Sequence, residues 1–390
     1  MIDIVDKPRP LHLALALNDA GWHPAAWREP TARAGELFSA RYWVDQVREA
    51  QSGRLDFVTI EDSFRLQSTR ADGPDDRTDQ VRGRLDAVLI AARVAPVTQH
   101  IGIVPAATTT LTEPFRVSTQ IATLDYVSRG RAGWHVQTST RHSDGAYVGP
   151  RTIPSSEAMF DEAAGHVEVV RRLWDSWEDG AEIRDASTGR FIDRDRVHYI
   201  DFEGPYFDVK GPSITPRPPQ GQPIVTTVAG TNAADRFAAR SADIVFLTPR
   251  DEVGLAQRTG EIDDALADAG RDSTLSRVFA DVVVFLDDDA AAAASRQARL
   301  DALDGGVYRP DTLLFTGTPA QLSEQPIAWT ELGCSGFRLR PGAVPHDLYA
   351  ITRSLVAELR DRGAVPREYR SSTLRGGLGL ARPANRYAAI

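Results

Sequence analysis

The sequence predicts an α/β fold, a (β/α)8 TIM barrel with insertions on its C-terminal face. Eight apolar runs rich in β-branched residues recur along the 390 residues, and segments of helical periodicity separate them. The runs are continuously apolar rather than alternating, which marks parallel strands buried on both faces. Eight strand–helix units are the number that closes such a sheet into a barrel. A doubly wound open sheet is the alternative arrangement of the same units.

The strand candidates, in order, are 11–17 (LHLALAL), 55–62 (LDFVTIED), 100–110 (HIGIVPAATTT) and 131–139 (RAGWHVQTS), then 223–230 (PIVTTVAG), 242–249 (ADIVFLTP), 277–286 (RVFADVVVFL) and 333–342 (GCSGFRLRPG). Helical periodicity occupies 35–52, 82–96, 114–127, 157–178, 232–241, 251–269, part of 289–330, and 346–363. Two stretches exceed a minimal unit: 179–222, rich in Gly, Pro and charge, and 301–326, which carries GGVYRPDTLLFTG. The expected organisation is one barrel domain over 1–390, with these two insertions placed as covers over the strand C-termini.

Composition narrows the function classes. A formal charge of -9 without a cluster of Lys and Arg interleaved with aromatics leaves no nucleic-acid footprint, and acidity disfavours anionic membranes. The opening MIDIVDKPRP has no apolar signal core and no apolar stretch is long enough to span a bilayer, so a cytoplasmic location is expected. The single Cys334 excludes an internal disulfide framework and a thiolate zinc cluster. Lys7 and Lys210 are the only lysines, neither at a strand end, and the eight histidines form no HxH or HxxxH pair. These counts disfavour Schiff-base and metal-dependent barrel chemistry, and no metal ligands are expected.

In a closed parallel barrel the active site lies where strands end. That rule selects Glu61 and Asp62 after the second strand, Thr108 to Thr110 after the third, and His135, Gln137, Thr138 and Ser139 on the fourth. It also selects Gly230, Thr231 and Asn232 after the fifth, and Arg338 and Arg340 on the eighth, with His23, Trp27 and Arg28 of GWHPAAWREP just beyond the first. The competing structural readings are plain ones. Glu61 and Asp62 are equally suited to capping a helix, a lone histidine at a strand end is more often a satisfied polar residue, and the arginines of SRGRAG suit a brace at the strand's start. AGTNAADRFAA offers free backbone N–H groups and the positive end of a helix dipole, a phosphate site by construction, although Thr and Asn also cap helices without any ligand. GxGxxG is absent, so no dinucleotide fingerprint accompanies it.

The ordered set GWHPAAWREP, LDFVTIED, GIVPAATTTLTEPF, LDYVSRGRAGWHVQTS, FDEAAGHVEVVRRLWDSWEDGA, GPYFDVKGPSITPRPPQGQPIVTTVAG, GCSGFRLRPG and REYRSSTLRGGLGLARP resembles the bacterial-luciferase-like flavin monooxygenases. Within them it is similar to the nitrilotriacetate and dibenzothiophene-sulfone monooxygenase subgroup. The resemblance runs nearly end to end. It implies a (β/α)8 barrel that uses reduced FMN (FMNH2) and O2 to insert one oxygen atom into a small organic substrate through a flavin C4a-hydroperoxide. It implies a separate NAD(P)H:flavin reductase as transient partner and a homodimer or homotetramer.

It also implies site residues. Asp62, Ala107, Thr108 and His135 would surround the flavin, with Gly230, Thr231 and Asn232 on its phosphate. Ser156 and Phe160 stand where the family has a phosphate-side histidine and tyrosine. His135 stands where GWN is usual, Ala106 replaces a threonine, and Asp235 replaces a small glycine. His135, His23 and Gln137 are the expected donors or bases, and Trp27, Arg28 and Phe64 the expected substrate contacts; the arginines permit an acid or sulfonate, the aromatics an aromatic substrate. The open alternatives are an F420-dependent oxidoreductase on the same barrel and a flavin-binding relative without turnover.

Overall fold

The computed structural model describes residues 10–70, 73–139 and 155–388. Eight parallel strands close into a barrel: β1 His12–Leu17, β2 Phe57–Ile60, β3 Gly102–Thr108, β4 Gly133–Gln137, β7 Ile224–Val228, β8 Ile244–Leu247, β9 Arg277–Leu286 and β11 Gly336–Pro341. The circle runs β1-β2-β3-β4-β7-β8-β9-β11 and back to β1, where His12 pairs with Gly336. Each strand falls inside one of the eight runs expected from the sequence. Every residue of β1, β2, β9 and β11 is buried, as continuous apolar runs require.

Helices cover the outside: Ala40–Ser52, Ala87–Val94, Pro114–Ser128, Ser156–Asp175, Asn232–Ser241, Glu252–Asp268, Ala290–Asp304, Pro319–Thr330, and a last one that passes from His346–Tyr349 through a π-helical turn to Val356–Asp361. Side-chain caps start most of them. Ser39 accepts from Tyr42 N–H, Asp86 from Leu89 N–H and Asp251 from Gly254 N–H, while Thr318 and Gln321 form a reciprocal capping box.

One of the two additions to the barrel, 179–222, differs from expectation in position, whereas 301–326 brings Asp311 to the C-terminal face. The segment 179–222 joins the end of helix Ser156–Asp175 to the start of β7, so it departs from the N-terminal end of the barrel and not from the C-terminal mouth. It forms a hairpin of β5 Glu182–Asp185 and β6 Arg190–Ile192, and it returns with Gln220 Nε2 donating to Ala132 O, just below β4, at 2.8 Å. A helix-to-strand connection lies at that end by the direction of the chain, which corrects its assignment as a cover of the active-site face. The segment 301–326 holds a ninth parallel strand, β10 Leu313–Gly317. The ten-residue β9 pairs with β8 over its first half, from Arg277 to Ala280, and with β10 over its second, from Val282 to Leu286.

The barrel interior is layered. Phe57, Ile224, Ile244, Phe246 and Phe279 fill the lower part, and the chain's tail closes the N-terminal end with Leu374, Leu378 and Leu380. Arg131 of SRGRAG braces that end, donating to the carbonyls of Ser128, Ile101 and Ala95 at 2.7, 2.6 and 2.8 Å.

Candidate active site

Above the apolar floor sits a layer of buried charge. Asp281, midway along β9, is fully buried, and Arg338 on β11 donates to it from Nε at 2.7 Å and Nη2 at 2.5 Å. Arg340, two residues on and therefore on the same face of β11, donates to the same carboxylate. These two arginines hold the Asp281 carboxyl below the usual carboxylate range against the upward push of burial. Aromatic faces fix the guanidinium groups: Arg338 lies 3.9 Å from the Phe246 ring centroid and Arg340 lies 4.4 Å from that of Trp22. The Nη1 atom of Arg338 lies 3.6 Å from Glu61, whose other oxygen accepts from Gln137 Nε2 at 3.1 Å.

A cavity of about 500 Å3 opens over this layer at the C-terminal ends of the strands. That volume lies within the range of small-molecule and cofactor sites. Glu61, Asp62, Thr108, His135, Gln137 and Thr227 supply polar groups to its walls, and Trp22, Phe64, Phe160 and Val228 supply apolar ones. Arg338, Arg340 and Asp311 line it as well. His135 is 2% exposed, with Nδ1 2.9 Å from Thr226 Oγ1 and its ring edge-on to Phe246. Burial, reinforced by the nearby Arg338, pushes its pKa down to about 4, so the imidazole is neutral at pH 7.

The residues selected from the sequence divide into two groups. The structure brings His135, Gln137, Asp62, Thr108, Phe64 and Phe160 to one cavity. Asp62 serves both readings given for it: it lines the cavity while its two oxygens accept from Ser63 N–H at 2.7 Å and from Ala87 N–H, the first residue of a helix, at 3.0 Å. Ala107 lies one residue before Thr108, and its carbonyl accepts from Trp134 Nε1 at 2.9 Å. Gly230, Thr231 and Asn232 are exposed just past Val228, and Thr231 Oγ1 caps helix Asn232–Ser241 by accepting from Ala234 N–H. Ser156 is exposed at the first turn of helix Ser156–Asp175.

The GWHPAAWREP residues are placed elsewhere. His23 uses both ring nitrogens, accepting from Ala25 N–H at 3.1 Å and donating to Asp301 at 3.0 Å, and it is 1% exposed beneath Tyr308. Its expected acid or base role fails on this geometry, because no nitrogen remains for a substrate. Trp27 donates to Asp79 O and Arg28 to Leu303 O, and neither lines the cavity. Trp22, from the same segment, does. Asp281, Thr226 and Asp311 escaped the sequence reading. A single acid inside RVFADVVVFL was the available sign of the first, since a carboxylate in a buried strand demands a partner.

Among the described residues, no group of three or more His, Cys, Asp and Glu side chains is arranged to hold a metal ion, and no helix is long and apolar enough to cross a membrane.

A closed parallel barrel with a polar cavity at its strand C-termini defines a (β/α)8 enzyme. The chain belongs to the luciferase-like monooxygenase family, whose sequence profile matches residues 19–335. It is 28% identical to the N-acetyl-S-(2-succino)cysteine monooxygenase of Bacillus subtilis, covering 99% of this chain and 100% of that protein. It is 29% identical to nitrilotriacetate monooxygenase component A of Aminobacter aminovorans, covering 97% and 98%. Among solved structures, the EDTA monooxygenase of Chelativorans sp. BNC1 superposes with a TM-score of 0.84 over 96% of this chain and 99% of its own, at 24% identity, a likeness of fold.

Proposed function

We propose that this chain is the oxygenase component of a two-component system, taking up reduced FMN and O2 and inserting one oxygen atom into a small organic substrate. The observation that carries this reading is the polar cavity at the strand C-termini, whose wall residue Val228 stands three residues before Thr231, the N-cap of helix Asn232–Ser241. The donor set fits the group. Thr108, Gln137 and Thr227 present hydroxyl and amide groups suited to the polar edge of an isoalloxazine, and Phe160 and Val228 present apolar surface suited to its ring face. A phosphate suits the helix N-terminus, where Gly230 leaves open space around its Cα.

Reduced FMN, when bound, supplies the electrons and the activation of O2. The chain's own residues orient and exclude. His135, held by Thr226, keeps a neutral imidazole beside the reacting region near pH 7. Gln137, tied to Glu61, keeps its amide fixed in the wall. The missing dinucleotide fingerprint supports delivery of reduced flavin by a separate reductase.

The test compares FMN with riboflavin, which lacks the phosphate, on the parent and on Thr231→Ala/Asn232→Ala. Loss of two charge-assisted hydrogen bonds predicts FMN binding weaker by about 2 to 4 kcal/mol, with riboflavin nearly unchanged. Equal losses for both ligands would remove the phosphate from this helix.

A further inference from the structure

We infer that the substrate carries an anionic group, a carboxylate or a sulfonate, which pairs with Arg340 by displacing the carboxylate of Asp311. This rests on the reading of the cavity as the oxygenation site. Arg340 is 3% exposed and lines the cavity, with its Nη2 committed to Asp281 at the base. Its Nη1 donates at 2.7 Å to Asp311, whose side chain is 64% exposed. One guanidinium thus has two different partners. Asp281 is locked between two arginines in the barrel interior, whereas Asp311 reaches in from solvent at the rim.

The exchange is electrostatically neutral. Arg338 and Arg340 are balanced by Asp281 and Glu61, and Asp311 adds one further negative charge. Replacing Asp311 with a substrate anion keeps that sum, so no buried charge is left uncompensated. The Asp311 side chain, 64% exposed, returns to water on leaving, and the buried Arg340 keeps an anionic partner in the substrate. The neighbours of Asp311 have partners of their own. Trp22 stacks on the guanidinium, Tyr308 N–H is fixed on Asp301 at 2.8 Å, and Thr312 Oγ1 is fixed on Asp281 O at 2.6 Å. A swing of the Asp311 side chain between those two anchors suffices. A substrate held there by its anion at β11 extends its remaining atoms across the cavity toward Gln137 and His135 on the opposite strand, β4.

Calorimetric titration of the FMN-treated chain with succinate, methanesulfonate and neutral succinamide tests this on the parent, Asp311→Asn and Asp311→Ala. Removing the competing carboxylate is expected to tighten succinate or methanesulfonate by about tenfold or more and to leave succinamide unchanged. Whichever anion gains identifies the group. Asp288→Asn, which removes an exposed carboxylate outside the cavity, controls for net charge. An equal gain there, or no gain in either Asp311 variant, overturns the inference. An FMN titration on the same samples separates the two levels: FMN binding without an anion gain rejects only the substrate class, whereas a parent that binds no FMN rejects the oxygenase reading beneath it.

Discussion

Arg338 on β11 stands directly across the parallel ladder from Asp281 on β9, and the two share paired hydrogen bonds of 2.7 and 2.5 Å in the barrel interior. Asp281 also serves Arg340, so one carboxylate bridges two buried cations. Asp281→Asn preserves its shape and removes its charge. It is expected to destabilise the fold by about 3 to 5 kcal/mol, the cost of leaving buried charges unpaired. Denaturant unfolding checks this, and a change below about 1 kcal/mol would show that water reaches this layer.

His135→Ala removes the neutral imidazole from the cavity wall and its bond to Thr226. Product formed per reduced FMN supplied should fall about 100-fold, the scale of a lost donor or base. Bound FMN should change far less. Unchanged turnover with a large drop in stability would make His135 a packing residue.

His166 is wholly buried, with its ring against Trp134 and Phe207, and burial pushes its pKa down to about 3. The unfolded chain takes up this proton near the ordinary value of 6.5. Its contribution is therefore complete above about pH 6.5 and is lost as pH falls toward 3, on the order of 5 kcal/mol in all. His166→Phe should flatten the stability profile across that window relative to the parent. Parallel profiles would show that His166 meets its proton elsewhere.

The fold was legible because buried parallel strands leave an unbroken apolar signal, and all eight barrel strands lie inside the runs read from the sequence. β10 was missed because five residues, LLFTG, sit between two helices whose periodicity spans the region. The hairpin β5–β6 was missed because EIRD and RFI contain no fully buried residue and carry no core pattern. Of the site, strand-end residues such as His135 and Gln137 were legible from position alone. Pairings across the barrel were not: nothing local joins Asp281 to Arg338, or Arg340 to Asp311. His23 shows the converse, since its partner Asp301 lies 278 residues away and its engagement appears only in three dimensions.

Flavin mononucleotide is proposed to occupy the cavity at the strand C-termini. Val228, at the end of β7, is a half-buried wall residue, and Val228→Trp fills that space while leaving the charged layer below untouched. Titration with FMN, followed by flavin absorbance, measures the consequence directly. Saturable FMN binding to the parent, no comparable binding of F420, and a loss of at least about 100-fold in FMN affinity in the variant with its melting temperature preserved are expected. Equal FMN affinity in parent and variant, or selective binding of F420 by the parent, would contradict this assignment.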